Sequence, residues 1–113
     1  MHKRYARQEK ILDMEKLNNS HVLIAGCGGL GNIVSLYLCA AGVHTITLAD
    51  FDKIDYTNLN RQIAFREKDI GKQKIDILKD ILIERNSNCN IFLLYNDIDT
   101  IEDFSQYDNR LFR

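Results

Sequence analysis

The sequence predicts an α/β fold built on a parallel sheet, and three observations carry that prediction. A bare apolar run, Val22-Leu23-Ile24-Ala25, leads straight into Gly26, Gly28, Gly29 and Gly31. An unbroken helical segment follows from about Leu30 to Ala41 and is closed by Gly42. A second run, Thr45-Ile46-Thr47-Leu48-Ala49, then ends on the acid Asp50. Strand, glycine turn, helix, strand and acid in that order form a mononucleotide-binding βαβ unit.

Each element has its own physical reason. Val22–Ala25 is too short for a helix and does not alternate, which is how a parallel strand buried on both faces reads. The glycines let the backbone turn tightly and approach phosphate oxygens with no Cβ in the way, and the first-turn N–H groups of the helix then face the anion. Asp50 lies nineteen positions after Gly31. At the tip of the second strand its carboxylate can accept hydrogen bonds from ribose hydroxyls. The pattern leaves the nucleotide open, because NAD, FAD, a methyl donor and ATP all use this scaffold.

At 113 residues the chain is expected to form one short domain. Hydrophobic residues make up 45% and charged residues 27%, the balance of a globular chain. A net charge of −1 gives no electrostatic argument for nucleic acid or a membrane surface. No stretch is apolar enough to span a bilayer and no signal core follows Met1, so a cytoplasmic location is expected. The three cysteines, Cys27, Cys39 and Cys89, are far apart and form no paired motif. They read as small apolar fillers.

Ahead of the first strand, Arg4 to about Leu17 reads as a charged helix with Tyr5, Ile11, Leu12, Met14 and Leu17 as its apolar members. Residues 1–20 are therefore expected to form a helical arm, with the nucleotide-binding domain over 21–113. After Asp50, the segment Phe51 to Gln62 is too polar for a strand and lacks a helical period. Loops leaving the carboxyl ends of the strands carry the chemistry in doubly wound sheets, so Asn58, Asn60, Arg61 and Gln62 are expected beside the phosphates.

Gly71 is expected to open a second helix running to about Arg85, with Ile75, Leu78, Ile81 and Leu82 as its buried stripe and Ile77 flanking. Lys72 and Lys74 then fall in the first turn, where a cation opposes the helix dipole unless it answers a polyphosphate. Ile91–Tyr95 reads as a third buried strand, and a short helix is expected within Ile101 to Tyr107. The whole is a Rossmann-like, three-layer arrangement with about three parallel strands, preceded by the N-terminal helix.

Several motifs together go beyond the fold: Arg4-Tyr5-Ala6-Arg7-Gln8, Gly26-Cys27-Gly28-Gly29-Leu30-Gly31, Asp50-Phe51-Asp52 with Asn58-Leu59-Asn60-Arg61-Gln62, and Asp69-Ile70-Gly71-Lys72-Gln73-Lys74. In this order the chain resembles the ThiF–MoeB–HesA family of adenylyltransferases, which activate ubiquitin-like and sulfur-carrier proteins. The resemblance implies ATP-dependent adenylation of a carrier protein's C-terminal glycine in a cytoplasmic homodimer or heterodimer, in molybdopterin or thiamine biosynthesis.

By motif, Gly26, Gly28, Gly29 and Gly31 lie against the nucleotide, with Gly29 at the phosphates. Asp50 takes the ribose hydroxyls, with Asp52 beside it. Asn58, Arg61 and Lys74 contact the triphosphate, and Arg7 is similar to the arginine that enters the neighbouring protomer's site. Arg7, Arg61 and Lys74 are the implied catalytic residues. The family's Mg²⁺-binding aspartate, its zinc-binding cysteine pairs and its catalytic cysteine have no counterpart before Arg113, so no metal ligand is assigned.

The chain accordingly matches the N-terminal portion of such an enzyme. In the usual strand order the missing strand would pair with Val22–Ala25, and an exposed apolar edge is expected there. Two alternatives remain: a non-catalytic ATP-binding partner or remnant, and an NAD(P)-binding oxidoreductase fragment.

Overall fold

The structure is a computed structural model, and it describes residues 19–60, 62, 64–95 and 109–112. The elements run in order β1 (His21–Ala25), α1 (Gly29–Ala41), β2 (Thr45–Ala49), two short 3₁₀ turns (Tyr56–Asn58 and Glu67–Asp69), α2 (Lys74–Arg85), β3 (Asn90–Leu94) and β4 (Asn109–Phe112). All four strands are parallel, in the order β3-β2-β1-β4. The expected Rossmann-like α/β architecture is present. The expected N-terminal helix and the short helix before Tyr107 lie outside the described residues.

One correction concerns the edge of the sheet at β1. Asn109–Phe112 pairs in parallel with Val22–Ala25, so the sheet gains a fourth strand beyond the three expected. β1 is therefore an interior strand and not an exposed apolar edge, and the burial of Val22 through Ala25, none more than 3% exposed, agrees with that. Four residues are too few to declare themselves as a strand by pattern. Their pairing is with a segment more than eighty residues earlier, which no local window contains.

A second correction concerns β3, which was expected to be buried. It forms the opposite edge of the sheet, and Phe92 is 57% exposed, tilted against the ring of His21. The third concerns α2, which begins at Lys74 with Gln73 as its N-cap, not at Gly71. Gly71 sits earlier, at φ 88°, in the turn that brings the chain to the helix. Lys72 is consequently an exposed loop residue and not part of the first helical turn.

Val22, Ile24, Ile46, Leu48 and Ile91 form one buried cluster with Ile75, Leu78 and Leu82 of α2 and Cys39 of α1. Each fully buried leucine or isoleucine contributes roughly 1.5–3 kcal/mol relative to exposure. α1 faces inward with small residues, its buried members being Gly31, Asn32, Ser35 and Cys39. It ends as its sequence requires, because Gly42 adopts the left-handed conformation at φ 102° and donates its N–H to the carbonyls of Leu38 and Cys39.

Candidate functional site

The glycine turn joins the carboxyl end of β1 to α1, and its glycines do different work. Gly26 is held at φ 88°, and its N–H donates to the Ala49 carbonyl at 2.7 Å, extending the β1–β2 ladder by one bond. At Gly31 an added Cβ would fall well inside van der Waals distance of the Gly26 carbonyl oxygen, so glycine is needed for close packing of helix on turn. Gly28 is open: a Cβ there would meet only Gln62 Nε2, at 3.7 Å.

Gly28 is also the N-cap of α1, with no side-chain cap and no acid in the first turn. The first N–H groups of a helix have no intrahelical partner, so this end of a thirteen-residue helix offers donors to an anion.

Asp50 locks the turn in place. Its Oδ2 accepts the Cys27 N–H at 2.7 Å and its Oδ1 accepts the Asp52 N–H at 2.9 Å. Asp50 as a whole is 6% exposed. Burial together with the Asp50 charge pushes the neighbouring Cys27 thiol well above its ordinary range, and Lys74 only partly counters them. Cys27 is thus a protonated filler beneath the turn, in line with the reading from sequence. Cys39 and Cys89 are buried thiols outside any disulfide as well.

The loop after Asp52 folds against the segment leading into α2. Lys53 and Gln73 form an antiparallel bridge, Ile54 N–H donates to the Lys72 carbonyl at 2.8 Å, and Gly71 N–H donates to the Ile54 carbonyl at 2.8 Å. This clamp delivers Lys74 to the interior. Its side chain is 7% exposed, and its ammonium lies 4.0 Å from Asp52 Oδ2. Its backbone N–H donates to the Asp52 carbonyl at 3.1 Å.

Asn58 is buried, and its Oδ1 accepts the Asp55 N–H at 3.0 Å while Asp55 in turn caps Thr57. Its carboxamide oxygen is therefore engaged in shaping the loop.

Two residues outside the predicted site belong to it by position. Asn32, fully buried in α1, donates from Nδ2 to the carbonyls of Cys27 (2.9 Å) and Gly28 (3.1 Å) and accepts the Ala64 N–H at 3.2 Å. It ties the glycine turn to the far end of the loop. Gln62 is 3% exposed, stands against Gly28, and its Oε1 has no hydrogen-bond partner among the described residues. A buried polar atom left without a partner costs about 1–3 kcal/mol, and such atoms in native folds call for a ligand or water. The signal for Asn32 was a polar residue inside an otherwise apolar helix. Gln62 was placed in the phosphate-facing loop from sequence but not counted among the site residues.

Of the residues expected at the site, Gly26, Gly28, Gly29, Gly31, Asp50, Asp52, Asn58 and Lys74 are described, and they gather at the carboxyl ends of β1 and β2 and the start of α2. Arg7 and Arg61 lie outside the described residues. Among the described residues no group of three or more histidine, cysteine or carboxylate side chains comes together to hold a metal ion. Among them, too, no helix is long and apolar enough to cross a membrane.

An uncapped helix after a glycine turn, an acid on the next strand and a buried lysine, gathered at the carboxyl ends of parallel strands, mark a domain of the doubly wound α/β class. The chain belongs to the ThiF family, whose model matches residues 4–110. It is 41% identical over 96 residues to the probable molybdopterin-synthase adenylyltransferase of Gracilaria tenuistipitata var. liui, covering 80% of this chain and 27% of that protein. It is also 41% identical over 96 residues to the sulfur carrier protein ThiS adenylyltransferase of Escherichia coli K12, covering 80% of this chain and 38% of that protein. Among solved structures, E. coli MccB with ATP superimposes with a TM-score of 0.81 at 38% identity, over 88% of this chain and 32% of that chain. The chain thus spans well under half the length of these relatives.

Proposed function

We propose that this chain supplies the ATP-binding front of an adenylyltransferase that activates the C-terminal carboxylate of a ubiquitin-like or sulfur-carrier protein. The observation that carries the reading is the Lys74 ammonium: it is buried at the start of α2, and its ion pair with Asp52 spans 4.0 Å, the outer limit of such contacts. A buried cation so loosely paired is costly unless a second anion arrives, and a polyphosphate on the glycine turn is such an anion. The names of the relatives, and a related structure solved with ATP, support the same reading.

The reaction needs little covalent chemistry from the protein. A carboxylate oxygen of the carrier attacks the α-phosphorus of ATP, the bond from that phosphorus to the bridging oxygen breaks, and pyrophosphate leaves with the electron pair. The products are an acyl-adenylate and pyrophosphate. The N–H groups at the start of α1 and the Lys74 ammonium stabilise charge on the phosphate oxygens as it shifts towards pyrophosphate. Gln62, against Gly28, offers its amide to the same group. Asp50 retains a lone pair on each oxygen after its two backbone bonds and can accept the ribose hydroxyls. Arg7, Arg61 and Asn58 belong to this proposal in the roles the resemblance implies.

Magnesium and a dimer partner belong to the proposal too. The division into an arm over residues 1–20 and a nucleotide domain over 21–113 is part of it as well. Limited proteolysis near Ser20 with and without ATP tests that boundary.

The direct test is ATP–pyrophosphate exchange in the presence of a carrier protein ending in glycine. Exchange that requires the carrier supports the reading. ATP binding without exchange favours the non-catalytic partner, and a thermal shift with NAD but none with ATP favours the oxidoreductase.

A further inference from the structure

Asn32 lies in the first turns of α1 and is fully buried. Side chains on a helix lean towards its N-terminus, so this one reaches back to the chain that leads in. Its Nδ2 donates to the Cys27 carbonyl at 2.9 Å and to the Gly28 carbonyl at 3.1 Å, which engages both of its hydrogens. Its Oδ1 accepts the Ala64 N–H at 3.2 Å. One planar group thus holds the glycine turn on one side and the loop after β2 on the other.

The consequence lies on the far side of those two carbonyls. In a trans peptide the C=O and N–H of one plane point in opposite directions, and among the described residues no peptide is cis. With the Cys27 carbonyl turned towards Asn32, the Gly28 N–H points away from the helix. The Gly28 carbonyl is held by Asn32 Nδ2 and, at 2.9 Å, by the Asn32 backbone N–H, so the Gly29 N–H is aimed out of the helix end. The same amide fixes the loop. Phe65 N–H donates to the Gln62 carbonyl at 3.0 Å, closing the turn that contains Ala64, and from this turn Gln62 stands against Gly28. Donors aimed in advance need no reorganisation when an anion arrives, and binding gains accordingly.

We propose that Asn32 is the positioning residue of the phosphate cradle: it aims the Gly28 and Gly29 N–H groups at the anion and locks the Gln62 turn against them. The proposal rests on the nucleotide-binding reading above and adds the side chain that preorganises its donors. Asn32 itself touches no nucleotide and acts through the backbone of the turn and the loop.

The test titrates the 113-residue chain with ATP, inorganic tripolyphosphate and adenosine, each well below the melting temperature of the protein used. Asn32→Leu keeps the shape of the side chain and leaves no room for a bridging water. Asn32→Ala is the second variant, for use if the first does not fold. Either is expected to weaken ATP and tripolyphosphate alike, by about tenfold, and to leave adenosine unaltered. In the parent, tripolyphosphate is expected to shift the amide resonances of Gly28 and Gly29, and in the variant to shift them less. A purely structural role lowers the melting temperature and leaves these affinities and shifts in place. Tripolyphosphate affinity unchanged in the variant overturns the proposal and leaves the nucleotide site standing. Equal loss of all three probes overturns it too, because the effect is then general to the fold. Gly28 and Gly29 amides that stay still in the parent while tripolyphosphate binds overturn it without any variant. A parent chain that binds neither ATP nor tripolyphosphate overturns both this proposal and the reading beneath it.

Discussion

Lys74 and Asp52 hold one another twice. The backbone N–H of Lys74 donates to the Asp52 carbonyl at 3.1 Å, and the Lys74 ammonium stands 4.0 Å from Asp52 Oδ2. The first contact is firm and sets where α2 begins. The second is long and leaves the cation available. Asp52 has 38% of its side chain exposed while Lys74 has 7%, so the partner is partly in water and the lysine is not. This asymmetry is what a phosphate-binding lysine needs: a fixed base and an unsaturated head group.

Replacing Lys74 by alanine removes that head group. ATP–pyrophosphate exchange is expected to fall by on the order of 10²–10³. The fold should survive, because an ion pair with a partly solvated partner is worth less than about 1 kcal/mol. Exchange rates and a melting curve on the same preparation check both halves, and unchanged exchange removes Lys74 from the mechanism.

Asp50→Asn tests the lock on the glycine turn. The carboxylate accepts two backbone N–H groups, one on each oxygen. An amide presents only one oxygen and sets its NH₂ against the other donor. Urea unfolding is expected to show a loss of about 2 kcal/mol, the scale of hydrogen bonds to a charged acceptor. A variant as stable as the parent refutes the lock.

Two glycine variants separate packing from access. Gly31→Ala drives a methyl group into the Gly26 carbonyl oxygen, and a loss of about 3 kcal/mol or more is expected. Gly28→Ala meets only the end of Gln62, at 3.7 Å, so its melting temperature should barely change. Any loss of ATP affinity in Gly28→Ala then reports on space needed by the phosphates. Equal destabilisation in the two variants contradicts this division.

Gln62→Met removes a buried oxygen that has no partner among the described residues and keeps the side chain's length. Stability without nucleotide is expected to rise by about 1 kcal/mol, and nucleotide affinity to drop. Denaturant titrations with and without ATP measure the two effects together. A variant that is less stable and binds ATP normally would show Gln62 to be purely structural.

Alkaline pH should weaken the fold through its thiols. Burial, with Asp50 beside it, raises the Cys27 thiol, and a hydrogen bond with Cys39, followed by burial, raises Cys89, both from an ordinary 9.0. A group raised in the folded state contributes stability that is complete below its unfolded value and is lost as pH climbs through the folded one. Above pH 9 the unfolded chain releases these protons and the folded chain does not. Stability is expected to fall there by on the order of 1 kcal/mol per pH unit for each thiol. Cys27→Ala should flatten the slope. Reaction of the native protein with a thiol reagent at pH 8, as fast as in urea, would contradict the burial on which this depends.

Much of the architecture is written locally in the chain. The bare run Val22–Ala25, the glycines after it, the cap at Gly42 and the acid after Ala49 each declare a backbone conformation or a period within a few residues, and sequence alone located β1, α1 and β2. The same local signals placed Asp50 and the loop to Gln62 at one end of the sheet, because strand direction follows from the helix between two parallel strands.

What only the tertiary structure decided depends on contacts between distant segments. It decided that Asn109–Phe112 covers β1, that β3 is an edge, that Gly31 serves packing while Gly28 leaves space, and that α2 begins at Lys74 with its ammonium buried. Each is a matter of which surface meets which, and the residues concerned lie tens of positions apart. Local propensity acts over a turn or a strand. Burial and pairing are properties of the assembled sheet, and they come into being when its segments meet.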